Sequence, residues 1–62
     1  METEILRIDK EDGSESKVLI FEASMKISKY FGSNRIKDAT NIMNQILNGE
    51  IFETDFAIYK LK

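Results

Sequence analysis

The chain has 62 residues, of which 42% are hydrophobic and 32% charged, a composition typical of one soluble globular domain spanning residues 1–62. Cysteine and histidine are absent, which excludes disulfides, thiol nucleophiles, imidazole bases and Cys/His zinc sites. We therefore expect a non-enzymatic protein without cofactor or metal that works by binding. No apolar run approaches the ~20 residues of a membrane span and nothing resembles a signal peptide, so we expect a cytoplasmic protein with no membrane partner.

The net charge of −2 is unevenly distributed along the chain. Residues 1–23 carry seven acids and three bases, whereas residues 24–49 carry four bases and one acid. A phosphate-binding surface needs local positive charge, and only the middle third supplies it. Four basic side chains are equally typical of an ordinary solvated helix surface.

The first third of the chain predicts a β-hairpin. Residues 3–8 are predicted to form a strand, and residues 17–22 a second strand because Val18, Leu19, Ile20 and Phe21 form a β-branched and aromatic-rich run. The polar residues 9–16 between them contain Asp-Gly and are few enough to close an antiparallel turn. Their acidic side chains invite a calcium interpretation, but the spacing does not match an EF-hand loop.

The middle third predicts two helices. Ser24 is expected to cap a short helix over residues 25–31, with Gly32 as its left-handed stop. Ser33 or Asn34 is expected to cap a longer amphipathic helix over residues 35–47, which Asn48-Gly49 would end. Residues 56–61 then predict a third strand.

The order β-β-α-α-β predicts an α+β fold, a small three-stranded antiparallel sheet with two helices packed on one face. In the third strand Phe56 and Ile58 are predicted to point one way, and Ala57 and Tyr59 the other. Apolar side chains on both faces suggest that a homodimer or a partner covers the second face. The alternative is that a small domain simply leaves some apolar side chains exposed.

A short helix, a glycine-containing turn and a longer amphipathic helix also have the outline of a helix-turn-helix. Asn and Gln can bond adenine edges, Arg can bond guanine, and lysines can meet phosphates. The candidate DNA contacts are Lys26, Lys29, Arg35, Lys37, Asn41, Asn44 and Gln45. Polar side chains on an outward helix face are, however, often there only for solubility.

Three strings within residues 21–61 carry a resemblance to a known class of domain. They are Ile27-Ser28-Lys29-Tyr30-Phe31-Gly32, Ile46-Leu47-Asn48-Gly49 and Phe56-Ala57-Ile58-Tyr59-Lys60-Leu61. The chain resembles the small modular DNA-binding domains found beside phage and intron homing nucleases. That resemblance implies a β-β-α-α-β unit whose second helix lies in the major groove, although the second helix here is longer by a turn and lacks the usual Ser/Thr-rich start.

Our leading functional expectation is a small phage or mobile-element protein that docks on a host protein through its sheet or its acidic hairpin. The acidic hairpin could occupy a basic cleft by imitating DNA. The candidate protein contacts are Glu2, Glu4, Asp9, Glu11, Asp12, Glu15, Phe56, Ile58 and Tyr59. The alternative is the helix-turn-helix-like module that binds duplex DNA through residues 35–47. We expect no small-molecule substrate, because so short a chain leaves little room for a pocket of several hundred Å³.

Overall fold

A computed structural model describes residues 3–62 as an α+β fold of four strands and two helices. The elements in chain order are β1 (Glu4–Asp9), β2 (Glu15–Leu19), α1 (Ile20–Tyr30), α2 (Ile36–Leu47), β3 (Phe52–Glu53) and β4 (Ala57–Lys60). The strands form one antiparallel sheet in the order β2-β1-β4-β3. The predicted α+β class is confirmed, but the prediction of three strands is wrong because β3 adds a fourth.

The predicted hairpin between β1 and β2 is confirmed. The two strands pair antiparallel from Glu4 opposite Leu19 to Ile8 opposite Glu15. In the turn, the Asp9 N–H donates to the Ser14 carbonyl at 2.8 Å, and the Gly13 N–H donates to the Asp9 carbonyl at 2.8 Å. Gly13 has a φ of 74°, which suits glycine in a tight turn.

The boundary between β2 and α1 differs from the prediction. Residues 20–22 were predicted to continue the second strand, but they form the first turn of α1. Ile20, Ala23 and Ile27 recur at helical spacing and are all buried, so packing of this stripe overrides the β-propensity of the run. The Ser24 cap is also wrong, because Ser24 lies inside the helix and its Oγ donates to the Ile20 carbonyl at 2.7 Å.

The connection between the helices follows the prediction more closely. Gly32 has a φ of 90°, and the Ser33 N–H donates to the Ser28 carbonyl at 2.9 Å, which closes the end of α1. The N-cap of α2 is Arg35 in an extended conformation, not Ser33 or Asn34. Ser33 still helps to hold the start of α2, because its Oγ donates to the Asp38 carboxylate and accepts the Arg35 N–H at 3.2 Å.

The C-terminal strands form a second tight hairpin. Phe52 pairs with Tyr59, and Glu53 pairs with Ile58. Thr54 Oγ1 accepts the N–H groups of Phe56 and Ala57, each at 3.2 Å, so the threonine side chain holds the turn. A strand of two residues has no recognisable sequence period, which is why β3 was missed.

One core cluster connects the sheet with both helices. Its buried members are Ile5, Ile20, Ala23, Ile27, Ile46, Ala57 and Tyr59. The strand residues of this cluster alternate, so they define the inner face of the sheet. The opposite, outer face carries Leu6, Ile8, Ile58 and their cross-strand neighbours. Within residues 3–62, none of the helices is both long and apolar enough to cross a bilayer.

Candidate functional site

Two carboxylates of the acidic hairpin accept hydrogen bonds from backbone N–H groups of the hairpin itself. Asp9 Oδ1 accepts the Glu11 N–H at 2.8 Å, and Asp12 Oδ1 accepts the Ser14 N–H at 2.8 Å. The backbone hydrogen bond from Ser14 lowers the pKa of Asp12. These two carboxylates therefore build the turn.

The remaining acids of the predicted set differ in their surroundings. Glu4 lies 3.9 Å from Lys62, whereas Glu11 and Glu15 are exposed and have no ion pair within the described part of the chain. Glu2 lies outside the described residues. The hairpin therefore offers fewer unengaged carboxylates to a partner than its composition indicates.

The outer face of the sheet carries apolar side chains at the centre of two adjacent rows, one flanked by lysines and the next by glutamates. The register aligns Leu6 of β1 with Lys17 of β2 and Lys60 of β4. The next row along the strands consists of Glu15, Ile8, Ile58 and Glu53. Leu6, Ile8 and Ile58 are half-buried and do not belong to the core cluster. Of the predicted protein contacts in β4, Ile58 lies on this face, whereas Tyr59 is buried on the inner face.

The predicted DNA contacts of α2 share one polar stripe. Lys37, Asn41 and Asn44 recur at spacings of four and three residues, with Gln45 beside Asn41 one turn on. All four are exposed, as is the cap residue Arg35. A helix face of this kind can present amide and cationic groups to one side of a partner.

Lys26 and Lys29 belong to a different surface, a cleft of about 390 Å³ between α1 and the inner face of the sheet. We call it the cation–aromatic groove and define it by Arg7, Lys26, Lys29, Tyr30, Phe56 and Tyr59. No α2 residue lines it. The structure therefore places the two α1 lysines beside Tyr59 of β4 and the preceding Phe56, and separates them from the α2 stripe.

Arg7 is the ordered cation of the groove. Its Nε donates to Tyr59 Oη at 3.4 Å, and its Nη1 lies 3.4 Å from Asp9 Oδ2. Its guanidinium also lies 6.0 Å from the centre of the Tyr59 ring. The Tyr59 hydrogen bond and the Asp9 carboxylate raise the pKa of Arg7 further above its ordinary value.

Two exposed aromatic rings complete the groove. Phe56 is 68% exposed and Tyr30 is 40% exposed, although both rings are largely apolar. Phe56 was predicted to lie on the face opposite Tyr59, but β4 begins at Ala57, so strand alternation does not reach Phe56. The neighbouring Asp55 carboxylate raises the pKa of the Tyr30 hydroxyl.

The groove is a larger cleft than expected, because 62 residues were predicted to leave little room for a pocket of several hundred Å³. A second cleft of about 400 Å³ adjoins it and shares Arg7 and Phe56. Sequence reasoning missed Arg7 and Tyr30 because they come from β1 and α1, far apart along the chain. The sequence signal for the groove was its cationic and aromatic residues. They can be grouped into one site only when the sheet register is known.

Comparison with known proteins adds no relative to this picture. No protein-family model matches the chain. No curated protein matches it. No solved structure matches it either.

Proposed function

We propose that this protein is a non-enzymatic binding protein that docks on a partner protein through the outer face of its sheet. The observation that carries the proposal is the apolar centre of Leu6, Ile8 and Ile58 on the face opposite the core cluster. A sheet covered on one side normally presents a polar second face, and an apolar one marks an interaction surface.

In this proposal both helices cover the inner face and leave the outer face to the partner. Ile20 and Ile27 of α1 and Ile46 of α2 pack in the same cluster as inner-face Ile5 and Tyr59, which supports that arrangement. The molecule is only 17 Å thick along its shortest axis. That thickness is about the depth of one sheet and one helix layer. The elements of residues 3–62 supply no third layer to cover the outer face.

The charged rows would orient the partner on this face. Lys17 and Lys60 lie one row away from Glu15 and from Glu53, which also pairs with Lys10, so a partner with the opposite order of charges would fit. A second copy of the chain, turned by a two-fold axis that reverses its strands, has that order. A homodimer is therefore one form that the docking could take.

Site-specific photocrosslinking tests the proposal. A photoreactive amino acid at Ile8 is expected to yield one dominant protein adduct in cells that encode the chain, whereas the same group at Asn41 on α2 should not. Ile58→Lys should abolish the Ile8 adduct. A dominant adduct from Asn41 instead, or none from Ile8, would refute docking through the outer face.

A second candidate function is binding of duplex DNA through α2. The specific observation in its favour is the exposed stripe of Lys37, Asn41 and Asn44, and the resemblance to modular DNA-binding domains points the same way. A fluorescence anisotropy titration with duplex DNA tests it. Lys37→Glu should abolish binding, while Lys17→Glu, the same charge change on the outer face, should not; an absence of binding at low salt would eliminate this candidate.

A further inference from the structure

We propose that the cation–aromatic groove binds a mononucleotide-sized ligand, a planar aromatic base carrying a phosphate. The site is separate from the outer face and from the α2 stripe, so the inference does not rest on either candidate function. Three features of the groove support it: its excess of cationic side chains, its exposed aromatic rings and its restricted volume.

The charge of the groove suits a phosphate. Three cations line it, and no carboxylate does. Lys26 and Lys29 form no ion pair within residues 3–62, so both ammonium groups remain available to an anion. Arg7 is held by Tyr59 and Asp9, which pre-organises a guanidinium at the centre of the site.

The aromatic rings suit a base. Phe56 and Tyr30 are exposed at the edge of the groove, and the ring of Phe56 is among the most exposed large apolar groups of the described chain. Stacking of a base on such a ring is favourable for every base, because each has a flat π face. Cation and ring therefore lie together, as a phosphate and its base do within one nucleotide.

The size of the groove favours one nucleotide over a strand. Its volume of about 390 Å³ lies near the lower end of small-molecule sites. The adjoining cleft is lined by three carboxylates, those of Asp9, Glu11 and Asp55, against the two cations Arg7 and Lys10. A longer polyanion would have to pass these acids, so the charge pattern selects a compact anion.

An NMR titration of the full chain tests the proposal with adenosine monophosphate as the probe. We expect saturable shifts at the amides of Arg7, Lys26 and Tyr59, with a dissociation constant of about 0.1–1 mM for an open site with few contacts. Adenosine and inorganic phosphate should each bind at least about tenfold more weakly, because each retains only one of the two contact sets.

Matched variants separate the groove from general charge and apolar effects. Lys26→Glu and Phe56→Ala should each weaken nucleotide binding at least about fivefold. Lys62→Glu makes the same charge change outside the groove, and Ile51→Ala removes an equally exposed apolar side chain, so neither should change the affinity by more than about twofold. Far-UV circular dichroism establishes that each variant is folded.

Three results would overturn the proposal. Inorganic phosphate that binds as tightly as the nucleotide would leave the rings without a role. A single-stranded oligonucleotide that binds more tightly per nucleotide than the monophosphate would remove the argument for a compact ligand. The absence of saturable shifts at low salt would show that the groove binds no nucleotide.

Discussion

At the scale of single residues, a few side chains with two partners decide local geometry. Arg7 connects Tyr59 with Asp9, and Thr54 connects the ends of the β3–β4 turn. The role of Arg7 cannot be read from the sequence, because Arg7 and Tyr59 are 52 positions apart. Asp12 is the opposite case, since its partner Ser14 is two residues away and Asp-Gly already predicts a turn.

The Tyr30 hydroxyl gives a pH-dependent prediction. Its pKa is raised by Asp55, so the contact stabilises the protonated form; that contribution is present below about pH 10 and is lost as the pH rises through the folded-state pKa. Tyrosine ring-carbon NMR should show Tyr30 titrating above its ordinary value. Asp55→Asn should return the pKa towards that value, whereas Glu53→Gln should not; an unchanged Tyr30 pKa in Asp55→Asn would rule out the contact.

Thr54 gives a prediction about stability. Thr54→Val keeps the shape of this buried side chain but removes the acceptor for the N–H groups of Phe56 and Ala57, so the free energy of unfolding should fall by about 1–3 kcal/mol. Urea unfolding measures the change. Thr54→Ser retains the hydroxyl, so its free energy of unfolding should fall less. An equal fall in both variants would assign the effect to packing of the methyl group.

At the scale of elements, strong local patterns predicted structure well and weak ones did not. The turn at residues 9–16 and the helix ending at Asn48-Gly49 follow from polar runs, glycines and a helical apolar period. The start of α1 was predicted five residues too late, at Met25 instead of Ile20, because Val18–Phe21 has a composition typical of a strand. Ile20 belongs to the helix because its burial with Ala23 and Ile27 outweighs that preference.

The contact between the helices gives the prediction at this scale. Ile46 of α2 is fully buried in the core cluster, so Ile46→Ala should lower the free energy of unfolding by about 2–5 kcal/mol. Leu47 is the adjacent residue of the same helix and is 46% exposed, so Leu47→Ala should lower the free energy of unfolding much less. Urea unfolding of both variants provides the comparison, and similar losses would contradict the assigned orientation of α2.

At the scale of the whole molecule, a single small core holds every layer together. Seven buried residues from β1, β4 and both helices form the cluster, and partly buried Val18 and Phe52 extend it to β2 and β3. For 62 residues we expect an unfolding free energy of about 3–9 kcal/mol, from about 0.05–0.15 kcal/mol per residue. A second core that could fold independently does not occur in residues 3–62.

Cooperative unfolding follows from that single core. Far-UV circular dichroism, which reports α1 and α2, and tyrosine fluorescence, which reports Tyr30 and Tyr59, should give the same urea midpoint. Loss of the dichroism signal at lower urea than the fluorescence change would show that the helices separate from the sheet before it unfolds.

The sequence by itself determined the α+β class, the first hairpin, the extent of α2 and the absence of thiol and imidazole chemistry. These depend on composition or on neighbours within a few positions, where periodicity and turn residues act directly. The tertiary structure alone decided the fourth strand, the start of α1, and the grouping of Lys26 and Lys29 with Arg7, Phe56 and Tyr59. Those features depend on which surfaces exclude water together, and burial joins residues that are distant along the chain.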